Sequence, residues 1–164
     1  MGNKTVIYKQ KVKDNLTESF IHLERLKGAF DALKEQYSFP ISNDNFCEIK
    51  ANNQYLAYSD QIIYRFSKLQ DCIGAKLFKS VLFYQGENVN KPFLDILNQL
   101  EYMNIIDVDE WSEIRDLRNE IAHNYENNDN VAKGLLNMIY RIKDELKKIL
   151  INIEELIKEK EKNV

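Results

Sequence analysis

The chain is poor in the residues that interrupt regular structure. Five glycines and two prolines leave little material for turns, which argues against a fold of many short elements. Sustained period-two alternation with β-branched enrichment is missing too, so a sheet is not expected and the class reads as all-α. Cysteine is scarce: Cys47 and Cys72 stand alone, with no C-x-x-C spacing and no accompanying histidines. That argues against a disulfide framework or a zinc site, and each thiol reads as a reduced, mostly buried small residue. Long apolar runs are lacking. The opening MGNKTVIYKQKVKDN has no apolar core of signal-peptide length, so a cytoplasmic protein without a membrane partner is expected. Val6 stands where a myristoylation signal needs Ser or Thr. Neither sign of charge dominates. A net charge of −3 means that any nucleic-acid contact has to come from a local basic patch.

What is present is apolar, charged and periodic. With 164 residues and 44% hydrophobic content, residues 1–164 read as one domain able to close its own core, a bundle of about five helices. Residues 1–13 carry Lys4, Lys9, Lys11 and Lys13 without an acid, a basic arm expected to be mobile at its tip. From about Asp14 to Tyr37, Leu16, Phe20, Leu23, Phe30 and Leu33 mark a first amphipathic helix, with His22 among them as a packing or surface residue. Ser38-Phe39-Pro40 stops it, because proline biases the preceding residue out of helical dihedrals. Ile41 to Asn53 is expected to be a connection with one short helical turn.

A second helix is predicted from about Gln54 to Tyr84, with Gly86 as its C-cap. Ile62, Phe66, Leu69, Ile73 and Leu77 form its stripe, widened by Ile63, Phe78, Val81 and Leu82 enough to contact several neighbours. On another face Arg65, Lys68, Lys76 and Lys79 line up at helical spacing. Two readings of that row stand, a solvated surface and a phosphate-tracking edge that gains affinity by counterion release. Pro92 opens a third helix, Phe93 to Met103. The last helix runs from Asn130 to about Glu161, where Leu135, Ile139, Ile142, Leu146, Ile149, Ile153 and Leu156 form a heptad seam. Such a seam closes the bundle or mates with a partner helix. Residues 157–164 form a fraying tip.

Between these last two helices lies the stretch that carries chemistry, Asp107 to Tyr125, DVDEWSEIRDLRNEIAHNY. Asp107 is a natural N-cap, and Glu110 can reach back to its backbone in a capping box. Trp111, Ile114, Leu117 and Ile121 fall on one buried side. The loop composition after His123 places the helix end near the histidine. Arg118, Asn119, His123 and Tyr125 therefore crowd a helix C-terminus. A histidine titrating near neutrality moves protons at cellular pH. An arginine offers a permanent planar fork to a phosphate, and Asn119 can orient the ring or hold a substrate oxygen. Together they suit metal-independent RNA cleavage, in which a 2′-OH attacks the adjacent phosphorus. No second histidine lies nearby, and Asp116 and Glu120 make no recognisable oxygen cage, so no metal or other cofactor is expected.

Geometry sets a demand. On an ideal helix Arg118 and His123 lie about 140° apart, whereas Asn119 and His123 share a face. Fraying of the helix end or a partner subunit has to bring them together, and a two-fold dimer would supply both a base and an acid. The same letters also fit a helix-terminal histidine on the dipole, with Arg118 in a surface ion pair to Asp116 or Glu120.

The residues resemble a known family. Residues 118–125, RNEIAHNY, match the R-x4-H-x-Y signature of the HEPN superfamily, specifically its HepT-like toxins, and the segment Ile63 to Asp71 with Gly74 and Leu77-Phe78 resembles a HepT-like subgroup. The likeness covers roughly residues 15–155. It implies an up-and-down bundle forming a homodimer with the motif helices at its interface. It also implies a metal-independent endoribonuclease in which Arg118 and His123 are catalytic and Asn119 supports them. Such toxins, of a type VII-like toxin–antitoxin pair, are paired with a minimal nucleotidyltransferase that transfers AMP to the motif tyrosine, here Tyr125. Arg65, Lys68 and Asp71 correspond to pocket-lining polar positions. Two alternatives remain: a non-catalytic nucleotide- or substrate-binding subunit for that transferase, and a plain helical dimerisation module.

Overall fold

The computed structural model describes residues 2–163. In chain order it contains α1 (Gly2–Lys34), α2 (Asn43–Ala51), α3 (Asn53–Cys72), α4 (Phe78–Tyr84), α5 (Phe93–Tyr102), α6 (Val108–Asn124) and α7 (Asp129–Lys162), and no strand among the described residues. A π-helical turn, Ile73–Leu77, joins α3 to α4, so the two form one rod. The chain is all-α.

Contacts fix the topology. Asn15 meets Ser80, Ser19 meets Cys72 and His22 meets Arg65, so α1 and the α3–α4 rod run antiparallel. Phe78 lies on Trp111, Asp71 on Arg118 and Ser59 on Tyr125, which makes α6 antiparallel to that rod. Asn152 bonds the Ile105 carbonyl and Glu145 lies beside Glu110, reversing the direction again for α7. The ring closes where Lys9 and Lys13 reach Glu161 and Phe30 meets Tyr140. Four long rods thus alternate in direction around one core, in the order α1, α3–α4, α6, α7. The short helices α2 and α5 cover its flanks.

The π turn has a packing cause. One extra residue re-phases the rod by roughly 100°, so Ile73, Leu77, Phe78, Val81 and Leu82 all remain buried behind Ile62, Phe66 and Leu69. Gly74 sits in this turn because a Cβ there would come to 3.0 Å from the Trp111 ring. At the far end of the rod Gly86, with φ +81°, stops α4. The Gly86 N–H bonds Phe83 O and the Glu87 N–H bonds Leu82 O, a Schellman closure.

Several expectations meet a different structure. The stretch expected to be a basic arm is the start of α1: Val12 is buried, Tyr8 stacks on Phe83, and Lys9 and Lys13 pair with Glu161. The same pairing holds the end of α7, helical to Lys162, where Ile157 rather than Leu156 takes the buried position. Residues 43–51 form nine helical residues rather than one turn, because Ser42 and Asn45 make a reciprocal capping box. Cys47 is exposed and Cys72 buried. The other heptad positions of α7, from Leu135 to Ile153, are buried in the bundle itself.

Candidate functional site

Local signals in the sequence position α6. Asp107 caps it by accepting the Glu110 N–H at 3.0 Å. The Glu110 carboxyl lies beside Glu145 of α7. Trp111, Ile114, Leu117 and Ile121 anchor one side in the core. α6 stays helical through Asn124, and the Tyr125 N–H still reaches Ile121 O at 3.4 Å. The end does not fray before the histidine.

Along the seam between α3 and α6 runs an open groove of about 360 Å³. Arg118 and Tyr125 line it from the α6 side, and Tyr64, Ser67, Lys68 and Asp71 from α3. Asp71 grips the arginine with two bonds, Nε to Oδ1 and Nη2 to Oδ2, both 3.2 Å. A guanidinium has five N–H groups, so Asp71 fixes its plane and leaves three N–H for a ligand. The ion pair competing with function in the sequence reading thus exists, but its partner is Asp71 on another helix rather than Asp116 or Glu120.

Tyr125, half-buried, lines the groove beside Glu126. Its hydroxyl lies 3.0 Å from Ser59 Oγ. Burial is the main cause that raises its pKa, with the Asp60 and Glu126 charges adding to it and the Ser59 contact opposing. The phenol is therefore held protonated. Asp60 and Glu126 also line the groove, and burial followed by Glu126 raises the Asp60 pKa. Three carboxylates face two cations here, so the groove is not a simple anion trap.

The remaining candidates lie elsewhere. His123 is exposed and does not line the groove, and Asn119 is exposed on the same face of α6. Regular helix keeps His123 about 140° from Arg118 within one protomer. Arg65 does not line the groove: its Nη1 lies 3.0 Å from His22 Nδ1, while its buried Nε has no partner among the described residues. A guanidinium only donates, so His22 Nδ1 accepts and the ring proton sits on Nε2, facing Glu18 at 3.7 Å. Lys76 is paired with Glu18, which leaves Lys68 and Lys79 as the exposed cations of the expected row without an ion pair among the described residues.

Asp60, Tyr64 and Ser67 were not singled out from sequence, yet they had a signal. Counting back from Asp71 and Lys68 by three and four residues reaches each of them, one face of α3. Ser59 and Glu126 had none, because their roles depend on how α6 ends against α3. No protein family, curated protein or solved structure matches the chain.

Proposed function

We propose that this chain is a metal-independent endoribonuclease of the HEPN, HepT-like kind. It acts as a two-fold homodimer in the cytoplasm and is silenced when a partner nucleotidyltransferase transfers AMP to Tyr125. One observation carries the reading: Arg118, Tyr125, Lys68 and Asp71, picked from two separate sequence segments, line a single groove. In this reading the three free N–H groups of Arg118 take the scissile phosphate and hold the extra charge of the phosphorane. Such preorganised donors are worth roughly 3–4 kcal/mol.

The proton chemistry falls to histidine. One His123 of the dimer takes the 2′-OH proton, O2′ attacks phosphorus, and the P–O5′ bond breaks as the 5′ oxygen takes a proton from the other, protonated His123. The products are a 2′,3′-cyclic phosphate and a 5′-hydroxyl. Because α6 does not fray, His123 of the partner subunit has to face the Arg118 groove across the two-fold axis. AMP on Tyr125 would put a bulky anion in that same groove and exclude the substrate phosphate.

The test uses purified protein and a single-stranded RNA in excess chelator. Cleavage to cyclic-phosphate ends is expected, with His123→Ala and Arg118→Ala reducing it by about a hundred- to ten-thousandfold and leaving the dimer intact. A monomer in solution, or equal cleavage by both variants, overturns the reading. A second reading draws on the position of His123 outside the groove: a non-catalytic binding subunit that presents the Arg118 groove to the transferase. Nucleotide binding lost in Arg118→Ala, in a protein that never cleaves RNA, would select it.

A further inference from the structure

The ring order of the rods places a second concave surface diagonally across from the Arg118 groove. Between α1 and α7 lies a trough of about 410 Å³ with Phe20, Leu23 and Leu26 at its floor. It runs on into a neighbouring hollow of about 740 Å³ that shares Lys143 and Asp144 and adds Pro40 and Met138. Met138 in that hollow is 39% exposed and Phe20 in the trough half-buried, while Leu23 and Leu26 are buried beneath them.

Charge on the rim is unbalanced. Lys27 and Lys34 stand on the α1 side, Arg141 and Lys147 on the α7 side, and none forms an ion pair among the described residues. Glu24 and Asp31, on α1 with Lys27 and Lys34, are the unpaired carboxylates, while Asp144 is paired with Lys143 at 3.6 Å. Four free cations against two free acids make this surface positive in a chain whose net charge is −3.

The geometry points to a docking site for an acidic amphipathic helix of a partner protein, its apolar face on Phe20 and Met138 and its carboxylates against Lys27, Lys34, Arg141 and Lys147. Helix-in-groove recognition uses anchors at i, i+3, i+4 and i+7, which suits a trough bounded by two antiparallel rods. Nucleic acid fits less well. A strand needs open aromatic faces for its bases, and the two rings that line this surface, Phe20 and Tyr140, are both part-buried. Tyr140 stacks on Phe39 at 4.8 Å, and Lys143 Nζ sits 4.0 Å from its centroid. Glu24 and Asp31 would also repel a run of phosphates, whereas a peptide can space its charges to avoid them. The site is independent of the proposed ribonuclease groove.

A displayed library of helical peptides panned against the intact chain tests it. Enriched peptides should carry apolar residues at helical spacing flanked by Asp and Glu, and should bind less tightly as salt rises. Their affinity should fall by about tenfold or more for Lys27→Glu/Lys147→Glu, less for Lys27→Gln/Lys147→Gln, and stay unchanged for Arg118→Ala. Both lysines are exposed, and circular dichroism checks that the variants remain helical. No enrichment, enriched peptides without acids, or binding indifferent to the lysine changes overturns the proposal. A single-stranded RNA that binds the wild type and is lost on the same charge reversal, with no peptide enriched, overturns it in favour of a nucleic-acid surface.

Discussion

Asp71 holds Arg118 from the neighbouring helix through two parallel bonds of 3.2 Å, and the pair spans the seam on which the candidate groove lies. The carboxylate is 48% exposed and the arginine side chain 28%, so the pair adds little stability, on the order of 1 kcal/mol or less. Its effect is geometric: it sets the plane of the fork. Asp71→Asn should leave thermal unfolding nearly unchanged yet lower RNA cleavage by up to about a hundredfold, the usual cost of a small misplacement at a reacting centre. Arg118→Lys, which keeps the charge and loses the fork, should fail to restore it. Parallel melting curves and cleavage assays separate the two effects.

Glu110 and Glu145 lie side by side at the α6–α7 seam, with Asp107 close by. Burial first, then the Glu145 carboxyl, raises the Glu110 pKa. A raised folded value means that the native state binds the proton more tightly. The stabilisation is complete below about 4.3, the ordinary glutamate value, and is lost as pH rises through the folded value. Glu110→Gln should therefore be more stable than the wild type at neutral pH, with the gap closing in acid. Denaturant melts across that range measure it.

His22 behaves in the opposite sense. Burial, followed by the Arg65 guanidinium, lowers its pKa, outweighing Glu18. The unfolded chain then takes up the proton first as pH falls through about 6.5, so stability drops on acidification and is fully present above that value. Between roughly pH 7 and 5 the wild type should lose more stability than His22→Gln. An equal loss in both would assign the effect to other groups.

Gly74→Ala sets two terms against each other. Alanine gains about 1 kcal/mol of helix propensity, while its Cβ would stand 3.0 Å from Trp111. Trp111 is fully buried and wedged against Phe78 at 4.7 Å between centroids, so it has little room to yield. Overpacking of this kind costs about 1–3 kcal/mol. A net loss is expected, read as a lower melting temperature.

The helices with strong local signals are legible in the sequence alone. Asp107, Pro92 and Gly86 each sit where a cap or first-turn position was expected, and the stripes through Ile62, Phe66 and Trp111 are buried. The helix over 43–51 was underestimated because asparagine at the third position of a capping box looks like loop composition. Cys47 illustrates a different limit, since a nine-residue helix over a flank leaves one side open whatever its residue types. Of the basic row on the second helix, read as either a solvated surface or a phosphate-tracking edge, Lys68, Lys76 and Lys79 are exposed. Arg65 turns towards His22 and Lys76 towards Glu18, because α1 supplies acceptors there.

Sequence by itself determined the all-α class, the main helix starts and stops, and the gathering of Arg118, Asn119, His123 and Tyr125 at one helix end. All of these follow from interactions within a few residues of chain. Tertiary structure alone decided that Arg118 is gripped by Asp71, that Tyr125 leans on Ser59, and that His123 stays outside the groove they share. Those outcomes depend on the phase of α6 against a rod re-registered by a π turn. Such a phase is set by how two packed faces interlock, and neither face carries it alone.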